Sequence, residues 1–347
     1  MSECVITIAI PVYNVESYVE KSLLSAINQN VSEKYEILIV DDCGSDSSMD
    51  IVNKLIAENQ KSNCVFRIVK HEKNMGLGEA RNTAIREASG KYLFFLDSDD
   101  WIVDDCLTML YSTMVQEDAD VVMGSVDCYD YKTKKQEKMM AHVDRVIEGD
   151  NAGLKALLDG INLHIQAWNK LFRLDFLRAH NIYTTHKIME DSIFDLLVRL
   201  NAKKLCLVSG ATYVYNKREN SILTSIFRKV SSDESVDVYC DIVKKTKAII
   251  EDKYADVPGV YDLYMQRVHD VLYSIGLSSQ TSRQRKKIVN SLNDCVAFVP
   301  SSSALVTKKA KMRYLFVKWT PSCFYIIRRY RIFILTVRFF RKLLTNG

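Results

Sequence analysis

Residues 90 to 100 read Gly90-Lys91-Tyr92-Leu93-Phe94-Phe95-Leu96-Asp97-Ser98-Asp99-Asp100. The short apolar run Tyr92 to Leu96 has the length and composition of a strand buried on both faces. It ends in clustered carboxylates. Negative charge concentrated at the end of an apolar strand is expensive unless a cation sits there. Hard oxygen ligands of this kind suit Mg2+ or Mn2+. The plainer alternative is a polar turn in which Asp99 or Asp100 caps the next helix.

Working outward from this strand, short apolar runs alternate with helical patterns through the first third of the chain. Val5 to Val12 reads as a buried strand, and residues 16 to 28 as a helix carrying Val19, Leu23, Leu24 and Ile27. Tyr35 to Val40 reads as a second strand running into Asp41-Asp42. Residues 47 to 57 open with a capping-box-like Ser47-x-x-Asp50. Val65 to Val69 and the helical stretch 77 to 88 lead back to the strand at Tyr92. Strands alternating with helices predict a parallel sheet with helices on both faces, which binds ligands at the carboxyl ends of its strands. Those ends are Pro11-Val12-Tyr13-Asn14, Asp41-Asp42 and Asp97 to Asp100. From Ala119 the pattern becomes irregular. It shows a strand at Asp120 to Met123, a polar hairpin-like stretch to about Val146, and helices near 150 to 158 and 190 to 201. Residues 234 to 344 read as helices only, broken at Pro258, Pro300 and Pro321.

The composition of the 347 residues, 48% hydrophobic and 26% charged, excludes a disordered, collagenous or disulfide-stapled chain. Nine scattered cysteines without a C-x-x-C pair point to reduced thiols and no zinc cluster. Entry into an apolar strand directly after Met1-Ser2-Glu3 argues against a secretory leader. A cytoplasmic protein is expected. The net charge of +4 hides an asymmetry, because all eleven charged residues after Asp294 are basic and the remainder carries a net −7.

The segments IPVYN (10 to 14), ILIVDDCGSD (37 to 46), NMGLGEARN (74 to 82) and GKYLFFLDSDD (90 to 100) resemble family 2 glycosyltransferases in order, spacing and strand-end position. The resemblance extends more loosely to WNKLFR (168 to 173) and to Met189-Glu190-Asp191. It implies the A-type glycosyltransferase fold, a mostly parallel nucleotide-sugar-binding α/β sheet with helices on both faces, followed here by a helical C-terminal region. The implied catalytic domain is residues 1 to 230, with a donor-binding half (1 to 125) and an acceptor half (126 to 230). Residues 231 to 347 form the C-terminal region.

The resemblance also assigns roles. Pro11 and Tyr13 match the segment lining the nucleobase pocket, and Asp42 the carboxylate that accepts a hydrogen bond from uracil. Gly76 and Gly78 would let backbone approach the donor, and Arg81 would orient a carboxylate or offset diphosphate charge. A plainer role for Arg81 is a structural pair with Asp97 or Asp42. Asp97 and Asp99 match the DxD motif, with Asp99 as metal ligand and Asp97 on ribose or sugar hydroxyls. The Glu190-Asp191 pair looks like the catalytic-base motif. Asp191 is the expected base, with Glu190 left as the other choice because the motif departs from its commoner tryptophan-glycine form. Trp168, Asn169 and Lys170 are candidates for the acceptor side, although a Trp beside Leu171 and Phe172 is as readily core. None of the six histidines has a ligand partner at helical spacing, and each is read as structural.

The expected activity is inverting, metal-dependent transfer from a nucleotide-diphosphate sugar, UDP-linked, to a glycan or lipid-linked acceptor in cell-surface polysaccharide synthesis. Two rivals are a sugar nucleotidyltransferase, which would want a glycine-rich basic phosphate loop where this chain has VYNVESY, and a non-catalytic donor-binding relative. In the tail, Arg328, Arg331, Arg338 and Lys342 share one arc of a helix whose other residues are largely aromatic or aliphatic. That is the composition of an in-plane interfacial helix, so residues 308 to 347 are expected on the anionic inner face of the cell membrane. Nucleic acid is not an expected partner.

Overall fold

The computed structural model describes residues 4–185, 189–218, 233–266 and 268. The chain divides into two compact units, Met1–Glu219 and Asn220–Gly347. In the second, the helix α8 (Asp233–Lys253) ends before Pro258. The basic tail 308 to 347, His186, His269, Pro300 and Pro321 lie outside the described residues. No helix among the described residues is long and apolar enough to cross a membrane. The seven described cysteines are free.

The first unit is built on one ten-stranded sheet in the order β3-β2-β1-β4-β9-β6-β10-β5, with β7 beside β6 and β8 beside β10. Its first third follows the sequence pattern. β1 (Ile6–Val12), β2 (Tyr35–Asp41), β3 (Cys64–Lys70) and β4 (Tyr92–Phe95) are parallel, joined through α1 (Val19–Ile27), α2 (Ser48–Glu58) and α3 (Leu77–Glu87). Every residue of β1, β2 and β4 is buried, because helices cover both faces. Ile6, Ile8, Ile10, Ile37, Ile39 and Phe94 pack against Val19, Leu23 and Val52 on one face. Ala9, Leu38, Val40, Leu93 and Phe95 meet Ala80, Ala84 and Ile85 on the other. The two-residue alternation of a strand therefore loads two cores.

The second half departs from an all-parallel reading. β6 (Val121–Asp130) runs on beyond the four residues expected of it and folds back into β7 (Lys135–Met140), the expected polar hairpin. β9 (Lys170–Arg173) was not expected, and it inserts antiparallel between β4 and β6. β10 (Lys204–Lys217) was also missed; it runs parallel to β6 and antiparallel to the short β5 (Trp101–Ile102) and to β8 (Arg145–Glu148). The remaining helices are α4 (Cys106–Glu117), α5 (Ala152–Leu158), α6 (Leu174–Ala179) and α7 (Asp191–Asn201). The capping box expected at Ser47 is not made. Asp46 Oδ1 instead accepts from Ser48 N (3.1 Å) and Ser48 Oγ (2.6 Å), so the carboxylate one residue earlier opens the helix.

Gly90 leads into β4 where two main chains nearly touch. A Cβ there would lie 2.7 Å from Ile6 C and from Thr7 N, backbone atoms that cannot rotate away. Gly90→Ala should therefore part β1 from β4 at a cost of roughly 1–3 kcal/mol. Denaturant unfolding checks this: an unchanged midpoint would show that the strands yield.

Candidate active site

β1, β2 and β4 are adjacent and parallel, so their carboxyl ends meet. Tyr13 stands out of this edge at 46% exposure, while Pro11 is buried within β1 opposite Val40. Pro11 therefore shapes the strand and presents no side-chain surface. Asp41 orients its own loop by accepting from Cys43 N (3.0 Å), which holds Cys43 at φ 58°.

Asp42 is buried, and its carboxylate holds the neighbouring loop. Oδ1 takes Met75 N (2.7 Å) and lies 2.7 Å from His71 Nδ1, and Oδ2 takes Gly76 N (2.8 Å). A carboxylate offers about four acceptor positions. One on Oδ2 is left without a partner among the described residues. Gly76 adopts φ 89°, where a side chain would be strained. Gly78, expected to face the donor, is buried in α3 and its carbonyl accepts from Thr184 Oγ1 (2.7 Å). His71 bonds Asp42 and Thr83, in keeping with a structural histidine.

Arg81 joins the two sides of the site. Buried on α3, it donates through Nη2 to Asp97 (2.8 Å) and through Nη1 to Glu190 (2.9 Å) and Asp191 (2.7 Å). The structural pairing expected with Asp97 is present. The partner on the other side is the Glu190-Asp191 motif, and Asp42 is tied up elsewhere. Glu190 and Asp191 sit at the amino end of α7, where the helix dipole favours negative charge, after Met189 at φ 57°.

The three aspartates after β4 differ in state. Carboxylate oxygens of Asp97, Asp99 and Asp100 lie within 4.8 Å of one another. Asp100 is buried and satisfied by Tyr213 Oη (2.8 Å) and Asn216 N (2.8 Å), so it belongs to the framework. Asp97 is held by Arg81, and Asp99 pairs with Arg218, whose Nη2 is 2.5 Å away. Burial and the neighbouring carboxylates push Asp99 and Asp100 above the usual carboxylate range. Four acids, Asp97, Asp99, Glu190 and Asp191, thus share two guanidinium groups, with Asp100 close beside Asp97 and Asp99. Such a crowded, all-oxygen set, with Asp97, Asp99 and Asp100 together, could hold a divalent cation.

Trp168, Asn169 and Lys170 do not line an acceptor surface. Trp168 is buried between the rings of His164 (4.9 Å) and Tyr213 (4.7 Å). Asn169, at φ 59°, donates to Gly124 O (2.7 Å) and accepts from Thr212 Oγ1 (2.5 Å). Lys170 is buried and donates to His164 O (2.9 Å) and Gln166 O, fixing the turn whose Ala167 N–H favours the ionised form of Asp191. Burial pushes its ammonium down to about 7. These residues brace the turn beside Asp191 from within the core. Arg218 and Tyr213 were missed from sequence, although the run Thr212-Tyr213-Val214-Tyr215 ending in Lys217-Arg218 alternates like a strand that carries cations to the same edge.

Burial, with Asp191 beside it, pushes Glu190 up to about 7, against a usual 4.5. An acid whose folded pKa lies above its unfolded one binds a proton on folding, so its contribution to stability is lost as pH rises through that window. Glu190→Gln removes the penalty together with part of the Arg81 pair. Its stability should therefore gain on the wild type as pH rises from about 5 to about 7, at a slope of up to roughly 1.4 kcal/mol per pH unit. Parallel stability curves across that range, from unfolding at several pH values, would refute the assignment.

The glycosyl transferase family 2 model matches residues 7–180. Among curated proteins, the chain is 27% identical over 320 residues to a poly(ribitol-phosphate) beta-glucosyltransferase of Bacillus spizizenii, covering 90% of this chain and 48% of that one. It is 30% identical over 231 residues to the putative glycosyltransferase EpsH of Bacillus subtilis, covering 65% and 64% of the two. The chain thus spans about half to two thirds of these relatives' lengths. Among solved structures, residues 1–349 of Staphylococcus aureus TarS in complex with UDP-GlcNAc superpose with a TM-score of 0.69 at 21% identity, covering 94% of this chain and 91% of that one. A Pyrobaculum calidifontis mannosyltransferase in complex with GDP-Man and Mn2+ gives 0.52 at 12% identity, covering 95% and 84%. These likenesses establish the A-type glycosyltransferase fold. With half the chain matched by the family model, this protein belongs to glycosyl transferase family 2.

Proposed function

We propose that the protein transfers a sugar from a UDP-linked donor to a hydroxyl of a cell-surface polymer, with inversion at the anomeric carbon. One observation carries this reading: Arg81 ties the donor-side Asp97 and the acceptor-side Asp191 to a single guanidinium, so a base stands across from the metal-type carboxylates. Asp191 takes the proton of the attacking hydroxyl. Burial raises its pKa toward the working range of a base, while Arg81 and the Ala167 N–H keep it ionised and aimed. Glu190 shares Arg81 with it. Tyr13 offers an exposed ring at the nucleobase edge, and the uncommitted position on Asp42 Oδ2 suits a base N–H. A divalent cation held by Asp99 would neutralise charge developing on the leaving diphosphate.

The UDP assignment draws support from the TarS complex, and the polymer acceptor from the poly(ribitol-phosphate) transferases among the relatives. Membrane attachment through residues 308 to 347 stays a proposal on sequence alone. The full chain should sediment with anionic vesicles and not with neutral ones, and retention should weaken as salt rises.

A panel of nucleotide sugars, read by transfer and by calorimetric binding of UDP with and without Mn2+, tests the catalytic reading. Asp191→Asn should keep UDP binding and lose transfer by about 10²–10⁴-fold. Asp99→Asn should abolish the enhancement of UDP binding by metal while the fold survives. Transfer that persists in Asp191→Asn but vanishes in Glu190→Gln would reassign the base.

A further inference from the structure

Three cations near the site each rest on an aromatic ring. The Arg218 guanidinium lies 4.7 Å from the ring centre of Tyr18. Lys21 Nζ lies 3.0 Å from that of Trp101 and 5.2 Å from that of Tyr129, and Lys134 Nζ lies 3.7 Å from that of Tyr131. These pairs form a series. Arg218 also holds Asp99; Tyr18 and Lys21 are three residues apart, at the opening of α1; Trp101 directly follows Asp100. Tyr129 pairs in register with Asn216, two residues before Arg218, and its ring meets Trp101 edge-on at 5.4 Å. Tyr131 comes two residues further along the hairpin. The series thus leads from the carboxylate cluster out along the β6–β7 edge.

Its electrostatics are uncompensated. The Lys21 ammonium is pushed down, first by burial and then by the charge of Lys134. Neither has a carboxylate partner among the described residues. Of the hairpin's acids, Asp127 bonds Gln136 (2.9 Å) and Asp130 pairs with Lys217 (3.3 Å), while Glu137 lies on β7 opposite Cys128. Both lysines and Tyr131 are exposed, and Trp101 and Tyr129 are half-buried, so the cluster is open to a ligand. Cations fixed on ring faces are partly desolvated and bind anions well, while ring edges and open faces suit the C–H surfaces of a polyol or sugar.

We propose that Lys21, Trp101, Tyr129, Tyr131 and Lys134 form a subsite for a polymer acceptor of phosphodiester-linked alditol or sugar units. Phosphates meet the lysines, carbon skeletons meet the rings, and the chain is led toward Asp191. This deepens the proposed transferase reading and names its acceptor class, but the test does not depend on turnover.

Binding of fluorescent poly(ribitol phosphate) to the full chain is measured against neutral dextran, inorganic polyphosphate and single-stranded DNA of similar length, over a range of salt. Poly(ribitol phosphate) should bind tightest. The Lys21→Gln/Lys134→Gln double variant should lose affinity for it by about tenfold or more and show a shallower salt dependence. UDP binding and the thermal midpoint should stay as in the wild type. Unchanged polymer affinity in the double variant would overturn the proposal. So would equal binding of dextran, or equal binding of polyphosphate or DNA, which would show that the rings and polyol are not read. If no nucleotide sugar is turned over while the double variant still loses polymer binding, the subsite stands and the transferase reading falls.

Discussion

The site depends on one buried guanidinium. Arg81 reaches carboxylates at Asp97, Glu190 and Asp191, separated from it by 16, 109 and 110 residues, through bonds of 2.7 to 2.9 Å. Without it, three acids would face one another out of water, and removing one member of a buried ionic cluster typically costs about 3–5 kcal/mol. An arginine suits the task because its planar fork offers several donors at fixed angles and stays charged even where burial is nearly complete. Here the surrounding acids raise its pKa further, against the pull of desolvation. α3 can supply it because Ala80 and Ala84 pack closely on the sheet, which brings the helix near enough for Arg81 to lie inside the site.

That arrangement sets the chemistry by opposition. Burial favours the protonated form of Glu190 and Asp191, and Arg81 favours the ionised one. An acid balanced between the two has the properties that the proposed general base needs, basic enough to take a proton and ionised enough to be ready for it. Lys170 contributes indirectly, since its ammonium fixes the turn that offers Ala167 N–H to Asp191. The acids after β4 are tied to the same frame through Trp168, which stacks on Tyr213, whose hydroxyl holds Asp100.

How much of this was legible followed from range. β1 to β4 and their helices could be read because each buries its own periodic pattern against its sequence neighbours, and the strand-end acids marked the binding edge. Arg81 could be named, and its bond to Asp97 was one of the options. Its grip on Glu190 and Asp191 could not be read, because nothing local links residues 109 and 110 positions apart. Asp42 carries the motif of a base reader, yet two loop amides and His71 claim most of its carboxylate, and only the fold brings those groups to it. β9 has just four residues, Lys170–Arg173, too few to show an alternation. Trp168, Asn169 and Lys170 consequently looked like surface candidates when their partners were core.

β9 also explains why the Glu190-Asp191 pair and the acids after β4 meet at all. The carboxyl ends of parallel strands gather at one edge, so a parallel neighbour beside β4 would bring only its last residues there. β9 runs the other way, with Phe94 opposite Leu171 and Tyr92 opposite Arg173, and it delivers its first residues to that edge. The turn from His164 to Ala167 therefore reaches the binding edge before the strand begins, with the buried Lys170 to brace it. A reversed strand in the middle of the sheet is thus what lets the edge that carries Asp97 and Asp99 receive the carboxylates at the start of α7.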